Sequence, residues 1–152
     1  MTAASSKARI EGPLLLAFFL SGAAALLYEL LWVRWTALFC GHTALAASAV
    51  ICAYMTGLAL GSALGGRAAD RLPRERLIAL YAALELGIAL CGGLSKPMLQ
   101  GSSSLLLSLG LLDLPAGLQS LLTFAATLAV LLVPTSLMGA TLPLLTRRLS
   151  AG

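Results

Sequence analysis

The stretch Leu114–Thr146, LPAGLQSLLTFAATLAVLLVPTSLMGATLPLLT, runs for 33 residues without a charged side chain. A transmembrane helix needs about 20 predominantly apolar residues to cross the hydrocarbon core of a bilayer. The stretch is therefore too long for one upright span and too short for two spans with a turn between them. It predicts one long helix from about Gly117 to Leu145. We expect a bend at Pro134, because the proline ring removes a backbone hydrogen bond.

Three earlier stretches have the same apolar character. The first and the third each carry a single acid, and the second carries no charge. The sequence therefore predicts an all-α, polytopic membrane protein with four transmembrane helices. The predicted helices, numbered in chain order, cover about 13–33, 44–66, 77–94 and 117–145.

The segments outside these helices are short. The predicted membrane domain covers 13–148, between a cytoplasmic N-terminal tail at 1–12 and a C-terminal tail at 149–152. The segment Ser102–Leu112 has too few apolar residues to cross a bilayer and is followed by Asp113 and Pro115. It predicts a short interfacial helix between helices 3 and 4.

The composition excludes several classes of protein. Of the 152 residues, 59% are hydrophobic and 11% are charged, against about 25% charged in soluble domains. A soluble enzyme, a zinc module and a disordered tail are all incompatible with these values. Cys40, Cys52 and Cys91 are odd in number and far apart, so they form neither a disulfide framework nor a metal site. We expect no metal and no cofactor.

The positions of the basic residues predict the orientation in the membrane. The net charge of +4 is spread over loops and tails, so we expect no nucleic-acid partner. Cytoplasmic loops collect Lys and Arg. With the N-terminus inside, only Arg34 and Lys96 lie outside, which predicts a multi-pass protein of a bacterial-type inner (plasma) membrane with both termini cytoplasmic. The inside set is Lys7, Arg9, Arg67, Arg71, Arg74, Arg76, Arg147 and Arg148.

Small residues recur at helical spacing in the second and third predicted helices. Gly57, Gly61 and Gly65 form one stripe along helix 2, and Gly87 belongs to a similar series in helix 3. Because lipid gives helices no hydrophobic reason to associate, helix packing depends on small residues that let backbones approach. These glycines therefore predict helix contacts.

Ionisable side chains inside a membrane are costly and mark candidate sites. Helix 1 carries Tyr28, Glu29, Trp32 and Arg34 near its outer end, and Glu85 lies near the middle of helix 3. Glu29 is predicted to be a headgroup-level acid, paired with Arg34 or solvated, or a functional acid. Glu85 is predicted to be a protonated carboxyl, to be hydrogen-bonded to a neighbouring helix, or to form a proton or cation site. His42 has no second metal ligand at useful spacing, so we interpret it as a loop residue.

The loop after helix 2 carries a dense group of charges. Its Gly66, Asp70, Arg71 and Arg74 resemble the signature loop between the second and third helices of the major facilitator transporters. Pro73 replaces the second glycine of that pattern. We expect Asp70 at the start of the next helical turn, where the loop clamps two helix ends together.

Four segments, read in chain order, resemble one family. They are 21–34 (SGAAALLYELLWVR), 55–62 (MTGLALGS), 81–87 (YAALELG) and 134–143 (PTSLMGATLP). This order is similar to the integral-membrane region of the fused, major-facilitator-like spermidine synthase proteins. The resemblance covers roughly residues 13 to 148. It implies a partial major-facilitator-like bundle in which the polar positions of helices 1 and 3 are characteristic of the family.

The resemblance does not imply an enzyme in these residues. Such relatives continue into further helices and an aminopropyltransferase-like domain, whereas the 152 residues contain no Gly-rich strand-turn-helix that could bind a nucleotide-like cosubstrate. The sequence therefore predicts a non-catalytic membrane module, acting as a subunit or anchor with other membrane subunits or as a homo-oligomer. The alternative is a small proton-coupled transporter-like protein that works as an oligomer, with Glu85 or Glu29 as its coupling acid.

Overall fold

The computed structural model describes residues 2–40, 43–110 and 114–150, and these residues form four long helices. The helices are α1 (Thr2–Cys40), α2 (Thr43–Arg71), α3 (Arg74–Ser108) and α4 (Ala116–Ser150). Each contains an apolar stretch long enough to cross a membrane. The prediction of an all-helical chain with four candidate membrane spans is confirmed.

The helices extend beyond the predicted spans. The helix α1 begins at Thr2, within the predicted tail, and continues through Pro13 to Cys40. Its apolar part, Gly12–Leu38, is itself longer than the predicted 13–33. The sequence favours this extension because Ala, Lys and Arg before Pro13 are good helix formers.

The helix α3 includes residues that were expected to form a separate interfacial helix. It continues through Pro97 to Ser108, so Ser102–Ser108 form its last two turns. Residues 111–113 lie outside the described part of the chain. The serines do not break the helix because their hydroxyls donate hydrogen bonds to carbonyls three or four residues earlier in α3, as polar side chains commonly do inside helices.

Two prolines lie inside α4 without ending it. Pro134 is buried, and the hydroxyl of Thr135 donates a hydrogen bond to the carbonyl of Leu131 at 2.7 Å. Prolines are tolerated in membrane helices where neighbouring helices and Ser or Thr side chains satisfy the freed backbone groups. The single long helix predicted here is therefore compatible with Pro134.

The bundle has two chemically different ends. At one end, which we call the basic end, the short turn between α2 and α3 lies beside the C-terminus of α4, and Arg147 Nη1 donates to the carbonyl of Leu72 at 3.4 Å. At the opposite end, which we call the serine end, Ser102–Ser108 of α3 meet the last turns of α1 and the first turns of α4. The basic end thus carries the charged side chains of the last turn of α2, the first turn of α3 and the last turn of α4.

The glycine stripe of α2 packs directly against α4. A Cβ atom on Gly57 would lie 2.5 Å from Cβ of Thr135, and one on Gly65 would lie 2.7 Å from Cα of Ala140. A Cβ atom on Gly61 would collide with the main chain of Ser136. No side chain larger than hydrogen fits these positions without separating the helices.

The contact also has a matching glycine and a close polar approach from α4. A Cβ atom on Gly139 would lie 2.7 Å from Cα of Leu58 in α2. The hydroxyl of Thr135, which is fully buried, also lies 3.2 Å from the carbonyl of Ala53 across the interface. The approach of α3 to α4 is looser, since a Cβ atom on Gly87 would lie 3.2 Å from Cδ1 of the flexible Leu137 side chain.

We predict that Gly61→Ala lowers the free energy of unfolding by about 1–3 kcal/mol, as expected for overpacking a close contact. Gly66→Ala, in the same helix, is the matched control because a Cβ atom there meets nothing within 4 Å. Thermal unfolding in detergent, followed by circular dichroism, measures both. Equal unfolding midpoints for the two variants would contradict the assigned contact.

Candidate functional site

A carboxylate lies between α1 and α3 at the level of Ser21. The hydroxyl of Ser21 donates a hydrogen bond of 2.8 Å to Oε2 of Glu85. The second carboxylate oxygen, Oε1, is buried and has no hydrogen-bond partner within the described part of the chain. Glu85 therefore joins two helices through one oxygen and keeps the other buried.

A second polar atom lies one helical turn away on the same side of α3. Tyr81 precedes Glu85 by four residues, so the two side chains share a face. Its side chain is only 7% exposed, and its hydroxyl lies near the Glu85 carboxylate but forms no well-aligned hydrogen bond among the residues that the structure describes. We call Ser21, Tyr81 and Glu85 the acid cluster. Sequence reasoning identified Glu85 as a candidate site but assigned no chemistry to Ser21.

The composition of the acid cluster limits its chemistry. A carboxylate accepts hydrogen bonds or binds a proton or cation, and hydroxyls both donate and accept. No arrangement of three His, Cys, Asp or Glu side chains that could hold a metal ion occurs in the described residues. The cluster is suited to exchanging a proton or holding a monovalent cation at Glu85.

The aromatic residues of α1 form a different contact with α3. Trp32 is fully buried, and its Nε1–H donates a hydrogen bond of 2.8 Å to Oγ of Ser95, which in turn donates to the carbonyl of Gly92 at 2.6 Å. The Tyr28 ring stacks on Trp32 with a centroid distance of 5.7 Å and an interplanar angle of 18°. A Cβ atom on Gly92 would collide with the Tyr28 ring. Tyr28 and Trp32 therefore fix α1 against α3.

Sequence reasoning missed Gly92 and Ser95 as partners of these aromatic side chains. Glycine and serine are common in membrane helices for packing reasons, so neither stands out from the sequence alone. The available signal was their spacing, because they lie three residues apart in α3 and therefore share a face. Their contact with Tyr28 and Trp32 depends on the register between two helices far apart in sequence.

Glu29 and Arg34 are placed differently from expectation. Glu29 was expected about one turn from the end of the first helix, but α1 continues to Cys40, about three turns further. Arg34 is exposed, Glu29 is half-buried, and no ion pair joins them in the described part of the chain. Ser21 precedes Glu29 by about 12 Å along the helix axis. The two intramembrane acids therefore lie at different depths.

The charged loop also differs from expectation. Asp70 was expected at the start of the next helical turn, but it lies with Arg71 in the last turn of α2, where both are exposed. The reason is that α2 remains helical until Leu72 and Pro73, and α3 begins directly afterwards at Arg74 without a side-chain cap. The helix ends are instead joined by Arg147 through its hydrogen bond to Leu72.

The cysteines and His42 contribute little to these sites. His42 lies outside the described residues, so the interpretation of it as a loop residue stays a prediction. Cys52 is exposed on α2 and Cys91 is half-buried on α3, and both are free thiols. Neither is part of the acid cluster.

A wide groove opens between α1 and the α2–α4 pair. Its volume is about 680 Å³. Its α1 wall contains Gly22, Ala23 and Ala25 together with larger apolar side chains, and its α2 and α4 walls carry large side chains such as Tyr54 and Met138. We call this feature the small-residue groove. It lies on the α2 and α4 side of α1, and Ser21 borders both it and the acid cluster.

We predict that Ser95→Ala lowers the free energy of unfolding by about 1–3 kcal/mol, because the buried Trp32 N–H loses its partner. Ser104→Ala is the matched control in the same helix, since Ser104 is exposed and bonds only to the carbonyl of Gln100. Thermal unfolding measures stability, and the Trp emission spectrum reports on the environment of Trp32. An unchanged unfolding midpoint in Ser95→Ala would show that the Trp32–Ser95 hydrogen bond does not stabilise the fold.

Comparison with protein-family models, curated proteins and solved structures finds no significant match to this chain. The resemblance to the membrane region of spermidine synthase-like and major-facilitator-like proteins stays a prediction.

Proposed function

We propose that this chain is a non-catalytic membrane module, a subunit or anchor that docks to a transmembrane helix of another membrane protein. The observation that carries the proposal is the small-residue groove between α1 and the α2–α4 pair. Glycine and alanine on its walls allow a helix backbone to approach closely, which is the main basis of helix association in lipid. The occupant is an apolar helix that presents small residues to α1.

The position of α1 supports this proposal. Only Ala25, Trp32 and Thr36 are buried within the apolar part of α1, Gly12–Leu38, whereas α4 has ten buried residues. Leu26, Leu27 and Leu30 are each at least 60% exposed. A helix that packs so little within its own chain has an extensive surface available for another helix.

The family resemblance is part of the same proposal. In fused spermidine synthase-like proteins the corresponding region is one part of a larger membrane protein, and a partial major-facilitator-like bundle leaves helix faces that the missing helices would cover. The proposed partner supplies such a face. The basic end is proposed to face the cytoplasm of a bacterial-type inner membrane, because Lys and Arg accumulate on that side.

The docking prediction compares two glycines on exposed surfaces. A Cβ atom on Gly22, in the groove, and one on Gly93, in α3 outside it, both meet nothing within 4 Å. Both Gly→Leu variants therefore fit within the chain. Gly22→Leu is expected to fill the groove and to reduce at least tenfold the amount of partner protein that copurifies with the chain. Gly93→Leu is expected to copurify with as much partner as the wild type. Native mass spectrometry after mild-detergent purification measures the mass and stoichiometry.

A photo-crosslinking residue at Ala23 identifies what lies in the groove. The proposal expects a cross-link to a helix of one defined membrane protein, lost in Gly22→Leu. Cross-linking only to a second copy of the chain, or only to lipid, would contradict it. A complex that persists equally in both leucine variants would show that the partner binds elsewhere.

A second candidate function is supported by the acid cluster. We infer, as the alternative, a small proton-coupled transporter that works as an oligomer, with Glu85 as its coupling acid. The supporting observation is the buried Oε1 atom of Glu85, which has no partner in the described part of the chain. Glu29 is less suited to this role because no hydrogen bond from another helix reaches its carboxylate among the described residues.

The transport alternative predicts loss of proton movement in Glu85→Gln. Liposomes containing the protein, candidate substrates and a trapped pH-sensitive dye are exposed to an imposed proton gradient. The expected result is faster acidification than in protein-free liposomes, falling at least tenfold in Glu85→Gln. Glu75→Gln is the control because Glu75 is exposed at the start of α3. Equal rates in wild type and Glu85→Gln would exclude Glu85 as the coupling acid.

A further inference from the structure

We propose that the serine end contains a binding site for a small polyol. A cavity of about 200 Å³ lies between the last turns of α1, the last turns of α3 and the early turns of α4. We call it the hydroxyl cavity because five hydroxyl side chains line it. They are Thr36, Ser102, Ser103, Thr123 and Thr127.

Three of these hydroxyls already use their only hydrogen. Ser102, Ser103 and Thr123 each donate to a main-chain carbonyl about one turn earlier in the same helix, at 2.8 or 2.9 Å. A hydroxyl has one donor and two acceptor lone pairs. These three oxygens therefore offer hydrogen-bond acceptors, and a ligand must bring donors to them.

Thr36 supplies a hydrogen-bond donor instead of an acceptor. Its side chain is 1% exposed, and its Oγ1 has no hydrogen-bond partner in the part of the chain that the structure describes. A buried hydroxyl without a partner is unfavourable. Thr36 lines the cavity, and because its Oγ1 has almost no accessible surface, a rotation of the side chain about χ1 is needed to bring the hydroxyl to a ligand oxygen, which then accepts its hydrogen bond. The site thus needs a ligand with several O–H donors and at least one acceptor.

The remaining walls define the charge and shape of the ligand. No charged side chain of the described residues lines the cavity, and Leu99, Leu106 and Ala126 supply apolar contacts. A charged ligand would lose its hydration without a partner. The volume holds several water molecules. A short carbon backbone bearing hydroxyls, as in glycerol, satisfies both the acceptors and the apolar walls.

This site is separate from the proposed docking surface. The small-residue groove lies between α1, α2 and α4 and shares no lining residue with the hydroxyl cavity. The hydroxyl cavity lies between α1, α3 and α4 and near the end of α1, within reach of water at the membrane surface. Its occupancy does not depend on a protein partner.

Neighbouring alanines provide a matched accessibility test. Ala126 lines the cavity, whereas Ala125 is exposed on the outside of α4. The test uses the full-length protein with its native cysteines changed to alanine, reconstituted in phosphatidylcholine vesicles. In this background Ala126→Cys is expected to react with a charged, water-soluble thiol reagent at least tenfold faster than Ala125→Cys. Glycerol is the probe, and sucrose at equal osmolarity is the control that the cavity is expected to exclude. Glycerol should slow the Ala126→Cys reaction at least threefold more than sucrose.

The hydroxyl of Thr36 is tested in the same background. Thr36→Val keeps the shape of the side chain and should abolish the glycerol protection while leaving the reaction of Ala126→Cys intact. Protection in phosphatidylglycerol vesicles without free glycerol would identify the lipid headgroup as the source of the polyol. The proposal is overturned if Ala126→Cys reacts no faster than Ala125→Cys, if sucrose protects as well as glycerol, or if Thr36→Val retains full protection.

Discussion

The close approach of α2 and α4 is the contact on which the rest of the bundle depends. Lipid tails are as apolar as leucine, so burying leucine between helices contributes little to the free energy of helix association. Association relies on close packing and hydrogen bonds. Gly57, Gly61 and Gly65 bring the α2 backbone against Thr135 and Ala140 of α4. This places Thr135 near the carbonyl of Ala53. A tightly packed pair results, and the other two helices pack around it.

The helix α1 is held by a different kind of interaction. Two side-chain hydrogen bonds, from Ser21 to Glu85 and from Trp32 to Ser95, connect it to α3. Such bonds between membrane helices contribute about 1 kcal/mol each. They fix the register of α1 without enclosing it, which leaves the small-residue groove open on its other side. The same helix therefore takes part in the acid cluster, the groove and the hydroxyl cavity.

The sequence predicts the number and type of helices because each span has a local signature of length and hydropathy. Helix ends are less predictable: serines after Gly101 resemble a loop, yet their hydroxyls bond within α3 and extend it. Glu85 can be identified as a candidate functional residue from the sequence alone, because it is a charged residue within a predicted membrane span. Its partner Ser21 cannot be identified that way, since the two residues are 64 positions apart and their contact depends on the register between α1 and α3. The same limit applies to Trp32 and Ser95.

The polar atoms left without partners show where function is best placed. In the described residues, four buried polar atoms form no hydrogen bond: Oε1 of Glu85, the Tyr81 hydroxyl, Oγ1 of Thr36 and, at the charged basic end of α4, Nε of Arg148. None belongs to the glycine contact between α2 and α4, where Thr135 is fully satisfied. A buried polar group without a partner is costly, and such groups are rare in native structures. The α2–α4 pair is therefore the scaffold, and the surfaces of α1 and α3 carry the groups that need a ligand, a proton or a partner.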